Sequence, residues 1–101
     1  MPDMLSELQA IIQDRQQNPK PGSYTNKLLD EGISRVAQKV GEEATEVVVA
    51  ALSQGRDAQI AELSDLFYHT LVLMAAKGIT LDDVYAELER RHSLRKETSR
   101  G

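Results

Sequence analysis

Two short acidic runs hold the residues best suited to chemistry, Glu42-Glu43-Ala44-Thr45-Glu46 and Glu62-Leu63-Ser64-Asp65. Each contains carboxylates three residues apart, and on a helix that spacing puts both side chains on neighbouring positions of one face. Two such pairs, Glu43 with Glu46 and Glu62 with Asp65, present four carboxylates if their helices run antiparallel. A hard cation is the natural partner. Mg²⁺ takes oxygen ligands and keeps waters and substrate phosphates in its octahedral shell. Glu42 is the spare carboxylate of the first run.

Three other readings compete. The acidic faces could be plainly solvated, or balanced in a salt-bridge network by Arg35, Lys39 and Arg56. A di-iron carboxylate bundle needs Glu-x-x-His on two helices and two further Glu, and this chain has one such motif, Glu89 to His92. A Ca²⁺ loop, a His-Glu-x-x-His motif, a Walker loop and a Gly-x-Gly-x-x-Gly fingerprint are absent. His69 reads as a packed or hydrogen-bonded histidine rather than a ligand. Glu62 and Asp65 weaken the solvated reading, because their helix is apolar on nearly every other side and unpaired carboxylates there are costly.

The elements that must carry these residues are helical. Leu5, Leu8, Ile11 and Ile12 fall on one face of a helix over Met4 to Gln17, with Asp3 as N-cap. Asn18 to Ser23 is a Pro- and Gly-rich loop. Ser23 or Thr25 caps a short second helix that stops near Gly32. A third helix runs from Ser34 to Ser53 with an apolar stripe of Ile33, Val36, Ala37, Val40, Ala44, Val47, Val48 and Ala51. Glu42, Glu43 and Glu46 lie largely opposite that stripe, with Lys39 and Arg35 on their side. Gly41 costs about 1 kcal/mol there relative to Ala, which hints at close packing or a nearby ligand. Gly55 is a natural residue just past the helix end, and Asp57 caps a fourth helix over Ala58 to Lys77, terminated by Gly78. Glu62, Asp65 and His69 share one side of it, and Leu66 to Met74 is apolar nearly all round, as in a helix buried within an assembly. Thr80 with Asp83 opens a fifth helix through a capping box, which turns basic at Arg90-Arg91-His92. Residues 93–101 read as a flexible polar tail.

The fold class is therefore all-α, an antiparallel bundle of about four to five helices in a single domain spanning residues 1–101. A chain of 101 residues buries a modest core, which favours an obligate homo-oligomer. The core must be aliphatic, since there is no Trp and one Phe. A net charge of -4 argues against nucleic-acid binding, but not against a phosphate substrate held through a metal. No Cys is present, so disulfides and thiolate sites are excluded and a cytoplasmic setting fits. The N-terminus lacks a signal-peptide pattern, and no run approaches the roughly 18 apolar residues of a membrane span.

The acidic pattern with its flanks resembles the all-α nucleoside-triphosphate pyrophosphatases, and within them the phosphoribosyl-ATP pyrophosphatase family. The residues that carry the likeness are Ser23-Tyr24-Thr25-x-Lys27-Leu28, Lys39-Val40-Gly41-Glu42-Glu43-Ala44-x-Glu46, Glu62-x-x-Asp65-Leu66-x-Tyr68-His69, Asp83-Val84 and Glu87-Leu88-x-Arg90-Arg91. It runs from about Leu5 to His92. One departure is Ser93-Leu94-Arg95-Lys96 after His92, where family members often have a Ser-Gly-containing segment. The resemblance implies hydrolysis of phosphoribosyl-ATP to phosphoribosyl-AMP and pyrophosphate with Mg²⁺, the second step of histidine biosynthesis, in a stand-alone form. It also implies a homodimer or dimer of dimers with sites near the interface, and Glu43, Glu46, Glu62 and Asp65 as metal ligands. Glu42 is then the candidate for orienting water. Lys39, Lys27, Arg90 and Arg91 are candidates for substrate phosphate, and Tyr24 for the nucleotide. The alternatives are a house-cleaning nucleotide pyrophosphatase acting on dUTP or damaged nucleotides, and a non-catalytic helical interaction module.

Overall fold

The computed structural model describes residues 3–100, and the surroundings of side chains for residues 3–94. Five helices follow one another: α1 Met4–Gln17, α2 Tyr24–Glu31, α3 Ile33–Ser53, α4 Arg56–Ala76 and α5 Leu81–Arg100. No strand occurs among the described residues. The expected tail from Ser93 to Arg100 continues α5 as helix, and Gly101 lies outside the described residues.

Local chemistry sets most helix ends. The Asp3 carboxylate accepts from the Ser6 N–H at 2.8 Å, and the Ser23 hydroxyl accepts from the Asn26 N–H at 3.2 Å; each satisfies a donor that the first turn leaves unpaired. Thr80 and Asp83 bond each other's backbone N–H groups reciprocally at 3.2 and 2.9 Å. Gly78, at φ +70°, closes α4. The Gly78 N–H donates to the Ala75 carbonyl and the Ile79 N–H to the Met74 carbonyl, a Schellman closure.

Two boundaries differ from expectation. α3 begins at Ile33, because Gly32 at φ +97° ends α2 and starts α3 in a single residue. α4 begins at Arg56, so Asp57 sits in its first turn rather than capping it. Gly55 follows the end of α3 with an extended backbone (φ -78°, ψ 175°), not a left-handed one, and serves as N-cap of α4. The turn between α3 and α4 is therefore only Gln54 and Gly55, which folds the two long helices back as an antiparallel hairpin.

The core lies at one end of that hairpin, where all five helices meet: Ile12, Leu28, Val36, Leu71, Val72 and Leu81. Polar side chains tie the shorter elements to it. Asn26, buried, accepts from the Lys20 N–H at 2.9 Å and donates to the Arg15 carbonyl at 2.8 Å, fixing the loop between α1 and α2. Gln9 accepts from the Leu81 N–H at 2.7 Å, anchoring the start of α5 on α1.

Much apolar surface stays uncovered. Of the α3 stripe only Val36 is buried, while Ala37, Val48 and Ala51 are exposed. Leu52 is 83% exposed and Phe67, within the apolar run of α4, is 50% exposed. The radius of gyration is 16.1 Å, well above the ~13 Å of a compact domain this long.

Gly41 corrects another expectation: a Cβ there would meet nothing within 4 Å, so helix packing does not require glycine. Gly41→Ala should raise unfolding stability by about 1 kcal/mol, measured by denaturant titration. A stabilised variant with lost activity would show that a ligand needs the space, and a destabilised one would contradict the open environment.

Candidate functional site

The seam between α3 and α4 is polar in its middle and apolar at its ends. Val36, Lys39, Glu43, Glu46 and Ala50 follow one another in steps of three and four along α3, one helix face. Val36 and Ala50 are fully buried, so this row faces the partner helix. Along α4 the matching row is Glu62, Asp65, His69 and Val72, and its last two members are buried. Glu43, Glu62 and Asp65 each offer a carboxylate oxygen, and these oxygens all lie within 4.8 Å of one another. Glu43 is thus turned inward, toward α4, and not away from the packed face as its place opposite the apolar stripe suggested. Residue spacing located an apolar stripe, but the two-residue turn decides which face α4 covers.

One cation enters this group. The Lys39 ammonium lies 3.3 Å from Glu43, with both side chains largely covered. The hydrogen bond to Glu43 is the main reason its pKa is raised, with smaller support from Tyr24 and Glu42. A single lysine does not balance three carboxylates. Accordingly, partial burial pushes the Glu62 carboxyl up, reinforced by the charges of Asp65, Glu43 and Glu46.

The remaining site residues stand around this centre. Glu46 is exposed and outside the three-oxygen group, although Glu62 feels its charge. Glu42 is exposed and sits 3.4 Å from the Arg35 guanidinium, a long surface pair that contributes little. Lys27, exposed, lines a cleft formed by the loop from Pro19 to Ser23 and the first turns of α2. Arg90 and Arg91 both bond Glu87 on α5, Arg90 with two bonds of 2.8 and 2.7 Å. These bonds hold the Glu87 carboxyl at a pKa of about 2. The structure thus pairs these arginines with Glu87 rather than with the acidic seam.

His69 is packed and hydrogen-bonded, as its sequence context suggested: its Nδ1 contacts the Asp65 carbonyl at 2.7 Å and its Nε2 the Tyr24 hydroxyl at 3.0 Å. Tyr68 meets Thr25 through their hydroxyls. The link of α2 to α4 through these aromatic residues is what sequence reasoning missed. The adjacent Tyr68-His69, one turn past Asp65, was its only local sign. No helix among the described residues is long and apolar enough to cross a membrane.

A family model described as phosphoribosyl-ATP pyrophosphohydrolase matches residues 5–92. A phosphoribosyl-ATP pyrophosphatase of Sulfurisphaera tokodaii is 56% identical over 89 residues, covering 88% of this chain and 95% of that protein. One of Metallosphaera sedula is 54% identical over 91 residues, covering 90% and 98%. A histidine biosynthesis bifunctional protein HisIE of Caldanaerobacter subterraneus is 50% identical over 90 residues, covering 89% of this chain and 44% of that protein.

The raised pKa of Glu62 has a sign. A carboxyl that ionises less readily in the folded state destabilises it once the pH exceeds the unfolded value of 4.5. Glu62→Gln removes that penalty. In metal-free buffer at pH 7 the variant should melt above the parent chain, and the difference should vanish below pH 4.5. Equal melting at pH 7 would contradict like-charge crowding at the seam.

Proposed function

We propose, from the premise that this chain belongs to the phosphoribosyl-ATP pyrophosphohydrolase family, that it splits phosphoribosyl-ATP at the seam between α3 and α4. Water and phosphoribosyl-ATP give phosphoribosyl-AMP and pyrophosphate, a step of histidine biosynthesis carried out in the cytoplasm. The observation that carries the placement is the approach of Glu43, Glu62 and Asp65 within 4.8 Å, with Lys39 as their close cation.

The donor set fits Mg²⁺. All three groups are hard oxygen ligands with no nitrogen or sulfur among them, and their mutual repulsion is relieved by a divalent ion. Glu43, Glu62 and Asp65 would hold it, with Glu46 supplementing them from the next turn of α3. When bound, the ion supplies positive charge against the triphosphate oxygens and the departing pyrophosphate. Lys39, 3.3 Å away, holds the Glu43 carboxylate in place at the seam. Glu42 orients the attacking water and accepts its proton, giving up its weak Arg35 contact to do so. Lys27 serves the substrate phosphates; Arg90 and Arg91 join it by exchanging their bonds to Glu87 for bidentate phosphate contacts.

A homodimer or dimer of dimers completes the site in this reading. Its supports are the exposed apolar residues Val48, Leu52, Ile60 and Phe67 on the hairpin and the extended 55 × 36 × 29 Å shape of a single chain. Asp65 and Glu46 are also open to solvent, so a second chain could wall the seam.

The deciding assay incubates the purified chain with phosphoribosyl-ATP, ATP and dUTP, with and without Mg²⁺, and measures pyrophosphate. Mg²⁺-dependent release from phosphoribosyl-ATP is expected. Release from ATP or dUTP alone would point to a house-cleaning enzyme, and no release to an interaction module. Glu42→Gln should lower kcat by roughly 10²- to 10⁴-fold if it is the general base; an unchanged kcat would return Glu42 to a plain surface role.

A further inference from the structure

The buried imidazole of His69 is not used by the chemistry above, yet both of its nitrogens are engaged. The Asp65 carbonyl can only accept, so the Nδ1 at 2.7 Å carries the hydrogen. In the neutral ring this leaves Nε2 as an acceptor, and the Tyr24 hydroxyl at 3.0 Å donates to it. His69 thus bridges the backbone turn that presents Asp65 to the first residue of α2. The Tyr24 ring stacks on Tyr68 with centroids 6.1 Å apart and meets His69 edge-on at 5.8 Å.

Tyr24 is held on one side only. Its hydroxyl is anchored inside while the residue stays 47% exposed, and it lines the cleft beside Lys20 and Lys27. The cleft is preformed, because buried Asn26 fixes the loop that makes its wall. Tyr24 therefore stands at the boundary between this cleft and the acidic seam.

We infer that His69 is a positioning residue, which locks Tyr24 as a rigid stacking wall for the purine ring of the substrate while the acidic seam takes the phosphates. Anchoring the hydroxyl fixes the ring in place before the substrate arrives, so less ordering remains for binding itself. Free of His69, the ring still stacks but must be ordered at each encounter, and substrate affinity falls while chemistry at the seam continues.

The kinetic arm of the test rests on the phosphoribosyl-ATP reading; the spectroscopic arm does not. Tyr24→Phe keeps the ring and removes its anchor, and His69→Ala removes the anchor's acceptor. Each should raise KM roughly three- to tenfold with kcat within about twofold, the scale of one net hydrogen bond. The double variant should be no worse than either single one, since both break the same link. His69→Gln, which can still accept from Tyr24, should keep KM near the parent value. Effects that multiply in the double variant, a KM unchanged by Tyr24→Phe, or a loss in kcat instead of KM would each overturn the inference. If His69→Ala does not fold, as a thermal melt would reveal, Tyr24→Phe and His69→Gln decide it. Independently, ring ¹⁵N NMR in a His92→Asn background, where His69 is the sole histidine, should show Nδ1–H and a hydrogen-bonded Nε2 that loses its donor in Tyr24→Phe. An Nε2–H tautomer, or no response to Tyr24→Phe, would refute the link. If the parent chain fails to hydrolyse phosphoribosyl-ATP, the functional reading falls and the NMR result alone settles the His69–Tyr24 bridge.

Discussion

Everything in this structure is arranged around a repulsion. Glu43, Glu62 and Asp65 are brought together across the α3–α4 seam with one lysine among them. A seam between two long helices would ordinarily be apolar along its length. Here it is apolar only where Val36 meets Leu71 and Val72 in the core and again at Ala50. The buried ends hold the helices in register, and that register forces the carboxylates into each other's field. Stability is thus concentrated at one end of the molecule, and the charge that it can tolerate lies beyond it.

The smaller elements make sense as supports of that arrangement. α1, α2 and the start of α5 each contribute one buried apolar side chain to the core, Ile12, Leu28 and Leu81. Asn26 and Gln9 then satisfy backbone groups that those short connections would otherwise leave without partners. α2 is placed by these contacts so that its first residue reaches His69, one turn from Asp65. The geometry of the acidic seam and that of the neighbouring cleft are therefore set by the same packing.

How legible this was in the sequence depended on the range of the interaction. Helix ends fixed locally were readable: Asp3, Ser23 and Thr80 with Asp83 cap through side chains three residues apart, and Gly78 closes α4 by its left-handed backbone. The start of α4 was not, since Gly55 caps it by an extended backbone without a side-chain bond. The carboxylate spacing singled out Glu43, Glu62 and Asp65, which the fold brings together, but it grouped Glu46 with Glu43 as equals. Only the pairing of the two helices shows Glu43 facing α4 and Glu46 standing outside the three-oxygen group. The same holds for the apolar stripe of α3. Periodicity finds an apolar face, and contacts tens of residues away decide whether anything in the chain covers it. The bridge from Tyr24 to His69 spans 45 residues and leaves no periodic trace at all.

The central requirement of the proposed site is a divalent ion that relieves the crowding of Glu43, Glu62 and Asp65. Mn²⁺, a paramagnetic stand-in that Mg²⁺ should displace, can be titrated into the chain at pH 7 and the bound fraction read by electron paramagnetic resonance. Saturable binding is predicted, competed by Mg²⁺ and weakened by more than about tenfold in each of Glu43→Gln, Glu62→Gln and Asp65→Asn, since even outer-shell partners of a metal carry ten- to hundredfold effects. Absence of binding to the parent chain, or binding unchanged in all three variants, would contradict it.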